Sequence, residues 1–140
     1  MNKRTKKLLA MMSKKSGPKN LIDIDTDIIQ MAFGGTAGNN PVVNLGGGDL
    51  FKGFWIPCRA GATYTLSRTA AANNRFSLGF TATRESGASL LTFTTPLATD
   101  TLSVTATAPE GANYVCAYLT NNGDPITAEL GLTLIRNREV

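Results

Sequence analysis

The sequence predicts an all-β protein, an antiparallel β-sandwich or barrel of eight or nine strands that follows a basic N-terminal arm. Three observations carry this. Strand signals recur at intervals of roughly ten to fifteen residues after Asp49, and turn-forming clusters separate them. Several runs alternate apolar and polar residues with period two: Tyr64 and Leu66 oppose Thr63, Thr65 and Ser67, while Phe76, Leu78 and Phe80 share a face, as do Leu130, Leu132 and Leu134. Finally, Lys almost vanishes after residue 19, leaving only Lys52, and Thr and Ala become abundant from Ala62 to Thr133, so long solvated helices are disfavoured.

Taken in order, residues 1–19 form the arm. Lys3, Arg4, Lys6, Lys7, Lys14, Lys15 and Lys19 give it seven positive charges and no acid. Leu8, Leu9, Met11 and Met12 would let it form an amphipathic helix, which Gly17-Pro18 would stop. It is expected either to stay solvated or to order against a neighbouring subunit or a nucleic acid. Residues 20–140 form the folded domain.

This domain opens with Leu21, Ile22, Ile24, Ile28 and Ile29 interleaved with Asp23, Asp25 and Asp27, which predicts two short extended runs about a Thr26-Asp27 turn. The three carboxylates have the alternation that opens a calcium loop, but the central Gly and closing Glu of that loop have no counterpart, so they read as the polar side of a half-exposed strand. The Gly/Asn-rich run from Gly34 to Gly48 predicts a long connection with a short strand near Val42-Val43. Its Gly46-Gly47-Gly48 lacks the Gly-Lys-Ser/Thr continuation of a phosphate loop.

Strands are then predicted near 50–58, 62–68, 75–82, 89–95, 101–107, 113–120 and 127–136. In FWIPCRAGATYTLSR, Pro57 removes a ladder donor and Gly61 supplies a positive-φ position, so the phrase reads as a hairpin. Tyr64 is expected to bury its ring between sheets with its hydroxyl at the edge. Ala108-Pro109-Glu110-Gly111-Ala112 is a second tight lead-in to a strand.

The 140 residues suit one domain. The net charge of +4 divides into +7 on the arm and −3 on the remainder, where seven bases face ten acids, so the folded part is not itself basic. The apolar run Leu8–Met12 is shorter than a signal-peptide core, and no run approaches a membrane span. A soluble protein made in a cytoplasm, with no membrane partner, is expected. Cys58 and Cys116, 57 residues apart in between, read as structural thiols; with no His and no CxxC, neither a metal nor any other cofactor is implied.

Without His, the usual base of serine or cysteine hydrolases is missing. Asp100, Glu110 and Asp124 lie in or beside loops and read as solvated acids, so no catalytic residue is expected. A sugar site would need an aromatic platform with amide or guanidinium partners. Trp55 and Tyr118 are the aromatic candidates, though core packing accounts for both more readily, and Arg75, Asn121 and Asn122 are the polar ones, the two asparagines being turn residues first.

Four phrases occur in order: Asn20-Leu21-Ile22, FWIPCRAGATYTLSR, NNRFSLGF (Asn73–Phe80) and APEGANYVCAYLTNN (Ala108–Asn122). Together they resemble the small jelly-roll domains, similar to carbohydrate-binding modules, that recur in bacteriophage virion proteins. In those, an Asn-Leu-Leu-like opening precedes an Ile-Pro-Val-Lys-Pro-Gly-Thr-Thr-Tyr-Thr-like phrase, and Cys58-Arg59-Ala60-Gly61 stands here in place of the Val-Lys-Pro-Gly turn. The resemblance covers roughly residues 20–136. It implies a jelly-roll sandwich and a non-enzymatic virion protein at the capsid surface, in its decoration, at the head-to-tail junction or in the tail. Expected partners are capsid, portal or tail subunits and further copies of the chain. A carbohydrate- or receptor-binding module that meets a cell-surface glycan is the alternative. A third reading is a nucleic-acid accessory protein whose arm meets packaged DNA.

Overall fold

The computed structural model describes residues 19–34, 41–46, 51–69, 77–94, 102–120 and 126–137, with the side chains of residues 118 and 120 excepted. It is all-β with antiparallel pairing: β1 (Ile29–Gly34), β2 (Val42–Leu45), β3 (Lys52–Pro57), β4 (Thr63–Ser67), β5 (Ser77–Thr81), β6 (Ala88–Phe93), β7 (Ser103–Thr107), β8 (Tyr114–Thr120) and β9 (Thr133–Arg136). The strands fall into two sheets. Six close into a ring in the order β1-β2-β6-β5-β8-β3, and three form an open sheet in the order β7-β4-β9. The closure comes from β1, which pairs with β3 through Ile29↔Gly53 and with β2 through Phe33↔Val43, while β2 continues to β6.

Each sheet arrangement has its own core. Inside the ring, β1, β2, β3, β6 and β8 contribute Met31, Val43, Trp55, Leu90 with Ala88, and Cys116. Between the ring and the open sheet lie Phe54, Tyr64, Leu66, Leu78, Phe80, Val115, Ala117, Leu119 and Leu134. Strand parity explains the division, since Phe54 and Trp55 on β3, or Cys116 and Ala117 on β8, must point to opposite faces. The strands β3, β5 and β8 are therefore walls shared by both cores. β5 is the extreme case, with all five residues from Ser77 to Thr81 buried.

On β5 the face toward the ring is Ser77, Gly79 and Thr81, small residues that leave room for neighbours. A Cβ on Gly79 would lie 2.6 Å from Leu90 Cδ2 and 3.2 Å from Phe33 Cζ, so the position is glycine because the ring interior is already filled.

FWIPCRAGATYTLSR is not a hairpin. β3 pairs with β1 and β8, β4 with β7 and β9, and the bend between them carries the chain from the ring to the open sheet. Ala108–Ala112 carries it back, from β7 to β8. The two corners interlock: the Gly61 N–H donates to Ala108 O at 2.8 Å, Ala108 N–H to Ala62 O at 2.8 Å, and Cys58 N–H to Asn113 O at 2.9 Å. Gly61 and Gly111 both have φ +86°, the left-handed conformation that each corner requires. Tyr64, 2% exposed, does bury its ring, and its Oη accepts the Arg59 N–H at 2.8 Å, tying the bend to the strand that follows it.

Three further expectations are corrected. Asp23, Asp25 and Asp27 close a turn instead of lining a strand: Asp23 N–H donates to Asp27 Oδ2 at 2.7 Å and Asp25 N–H to Asp23 Oδ1 at 2.9 Å. The strand expected over 127–136 begins only at Thr133, because Ala128–Leu130 is a 3-10 turn that ends at Gly131 with φ 63°. The extended run at Asn20 is not an independent strand but a clip on β9. Asn20 Nδ2 donates to Leu132 O at 3.3 Å, Asn20 Oδ1 accepts from Leu134 N–H at 3.0 Å, and Leu21 N–H donates to Leu134 O at 2.8 Å.

The clip covers the outer edge of β9, whose backbone groups at Leu132 and Leu134 point away from β4. Asn20→Ala removes two of its three bonds and leaves those groups to water, so unfolding in urea is expected to show a loss of about 1–2 kcal/mol. The same change in Asn113, whose Nδ2 donates to Ala82 O at 3.0 Å at an exposed site, is expected to cost less.

Candidate interaction surface

The open sheet has one face on the core and one face outward. Alternation puts Thr63, Thr65 and Ser67 of β4 on the outer face, beside Ser103, Thr105 and Thr107 of β7 and Thr133 and Ile135 of β9, with Asn137 just beyond. Hydroxyls meet in rungs across this face: Thr63 to Thr107 at 2.8 Å, Thr65 to Thr105 at 2.8 Å and Ser67 to Thr133 at 2.8 Å, with Thr65 also donating to Asn137 Oδ1 at 3.1 Å.

The rungs follow from ladder geometry. Arg68 N–H donates to Leu102 O and Ala108 N–H to Ala62 O, both at 2.8 Å, which fixes Tyr64↔Ala106 and Leu66↔Val104 as the hydrogen-bonded pairs between β4 and β7. Thr63↔Thr107 and Thr65↔Thr105 are then the non-hydrogen-bonded pairs, in which side chains approach most closely. None of these outer-face residues is charged or a base, and among the described residues no hydrogen bond joins one of these hydroxyls to a charged group. They supply neutral donors and acceptors on a flat β surface. The sequence did reveal the outward polarity of Thr63, Thr65 and Ser67, but which strands stand beside β4 is a matter of long-range pairing.

The residues singled out from the sequence are placed differently. Trp55 is 2% exposed and lies in the ring core. Its Nε1–H donates to Thr81 Oγ1 at 2.9 Å, and the Thr81 hydroxyl in turn donates to Thr83 O at 2.7 Å. Arg84 Nε donates to Trp55 O at 2.9 Å, and its guanidinium sits 5.8 Å from the indole centroid. The indole thus has interior, polar and cationic neighbours, and no open face is left for a sugar ring.

Tyr118 lies in β8, in register with Gly53 and Ser77. Lys19, the last basic residue of the arm, is exposed at the start of the Asn20 clip on β9. Lys3, Arg4, Lys6, Lys7, Lys14, Lys15, Arg75, Asn121 and Asn122, like Asp100 and Asp124, lie outside the described residues. Glu110 is exposed on the second corner. Among the described residues no group of three or more His, Cys, Asp or Glu could hold a metal ion.

Both cysteines are free thiols. Burial pushes the Cys58 thiol up to about 11. Burial first, and then the neighbouring Cys58, push Cys116 further in the same direction. These groups are held neutral because their thiolates would lose water.

No family model matches the chain, and no curated protein or solved structure matches it. What the fold and its surfaces define is an all-β antiparallel protein with two filled cores and a neutral, hydroxyl-lined outer sheet.

Trp55→Ala empties the largest side chain from the ring core and is expected to destabilise the fold by about 3–5 kcal/mol in urea denaturation, in contrast to the small change a surface platform would give. For the thiols, a folded pKa raised above the unfolded value means stability that is complete below the unfolded thiol's range, near 9, and lost as pH rises toward 11. The urea midpoint should fall between those pH values, and more shallowly in Cys116→Ala. At pH 8, alkylation of native Cys58 should run about a hundredfold slower than that of the unfolded chain.

Proposed function

We propose that this chain is a non-enzymatic structural protein of a bacteriophage virion, built as a jelly-roll sandwich and assembled through protein–protein contacts, with its basic arm as the anchor. In this reading the open sheet and the β3-β8-β5 wall are the two faces of the sandwich, and the remaining ring strands close one side.

The observation that carries the proposal is where the recurrent phrases fall. Asn20-Leu21-Ile22 clips β9, Pro57–Ala62 makes the first corner, and Ala108–Ala112 makes the second, hydrogen-bonded to the first. Three of the four phrases thus contain devices that join layers, and the described part of the fourth, Ser77–Phe80, lies in β5, which supports kinship of architecture. The neutral outer sheet fits broad contact with protein neighbours. The arm, with its seven positive charges, fits acidic surfaces of adjoining subunits. Burial of Trp55 removes the principal aromatic support for a glycan-binding module.

Particle composition tests the proposal. Mass spectrometry of purified virions is expected to detect the full chain, and deletion of residues 1–19 is expected to abolish incorporation while circular dichroism still reports a folded β domain. A full chain absent from particles sinks the proposal. Incorporation that survives the deletion, with DNA affinity lost, would move the arm's role to nucleic acid.

A further inference from the structure

The two edges of the open sheet are treated unequally. β9 has its outer backbone groups covered by the Asn20 clip and ends on the charged Arg136. β7, Ser103-Val104-Thr105-Ala106-Thr107, has no described strand beyond it. It carries no Lys, Pro or other device by which edges are normally blunted, and its pairing with β4 runs without a register shift. Val104 and Ala106 direct their N–H and C=O groups to β4, so those of Ser103, Thr105 and Thr107 point outward. Leu102, 45% exposed, stands at the head of this edge.

We infer that β7 is a pairing edge for a second copy of this chain, joined antiparallel about a two-fold axis at Thr105. The segment is self-complementary under that operation. Thr105 meets Thr105 of the other copy, Ser103 meets Thr107, and Val104 meets Ala106. Opposed residues of an antiparallel pair share a face, so hydroxyls stay on the outer side and apolar groups on the core side. No like charges are brought together, because the segment has none. The union makes a six-stranded sheet, β9-β4-β7-β7-β4-β9, continues the hydroxyl rungs across the join and gives Leu102 cover. A foreign extended peptide would find the same backbone groups, but the register symmetry about Thr105 favours the chain's own copy.

Site-specific cross-linking tests this inference on the full chain. In the proposed register the two Thr105 Cα atoms lie about 5.5 Å apart, within disulfide range, whereas each Ser103 is about 14 Å from its own counterpart. Thr105→Cys is expected to form a covalent dimer under mild oxidation, with Ser103→Cys and the parent remaining monomeric on non-reducing gels. Thr105→Pro removes the outward N–H, together with the hydroxyl rung to Thr65 within the same sheet, and is expected to weaken dimerisation in sedimentation equilibrium by at least about tenfold, with the β signature retained by circular dichroism. A parent that stays monomeric up to about 1 mM, or Ser103→Cys that cross-links as well as Thr105→Cys, overturns the inference. The pairing does not rest on the virion proposal: a monomeric chain found in particles would sink the pairing alone, and a dimer absent from particles would sink the proposal alone.

Discussion

The structure depends on one constraint, the burial of a single wall of strands from both sides. β3, β5 and β8 separate the ring core from the core under the open sheet, so neither face of this wall can be given to solvent. Large side chains on one face, Phe54, Leu78, Phe80, Val115 and Ala117, must be matched by interior groups on the other. Each fully buried large side chain contributes roughly 1.5–3 kcal/mol, and because the second face is buried as well, its polar atoms must find partners inside the protein. The Trp55–Thr81–Thr83 chain of hydrogen bonds meets that condition where the wall carries an indole and a hydroxyl. Ser77 Oγ, buried with no partner among the described residues, is where it is not met.

This double burial also explains what was legible in the sequence and what was not. Strands with one wet face announce themselves by alternation, and the two faces of TYTLS were read correctly, including the buried tyrosine ring, in a strand expected one residue longer at each end. β5 was recognised as a strand with Leu78 and Phe80 on one face, but nothing marked its Ser77, Gly79 and Thr81 side as buried too, since small and polar residues line both surfaces and tight interiors. Trp55 was ambiguous for the same reason: in a strand buried on both sides, parity distinguishes two cores, not inside from outside.

Pairing was the other limit. Pro57 and Gly61 dictate a bend locally, yet whether a bend returns a strand to its own sheet or passes it to another depends on partners more than forty residues away, such as Ala108. The hairpin reading failed on that non-local choice, and the closure of the ring through β1 was hidden likewise. The LGLTL alternation extended the last strand backward through Leu130, because a 3-10 turn that presents one leucine to a core mimics one more strand position. The arm's charge was plain from composition, and the seat of Asn20 just after it was not, because the edge that Asn20 clips is formed by residues 112 and 114 positions later.

That clip has a mechanical consequence. It ties the beginning of the domain to its last strand, so a pull on the arm is borne first by the hydrogen bonds between Asn20-Leu21 and Leu132-Leu134 before it reaches either core. Tension there would load the edge of β9 before it reached the shared wall of β3, β5 and β8.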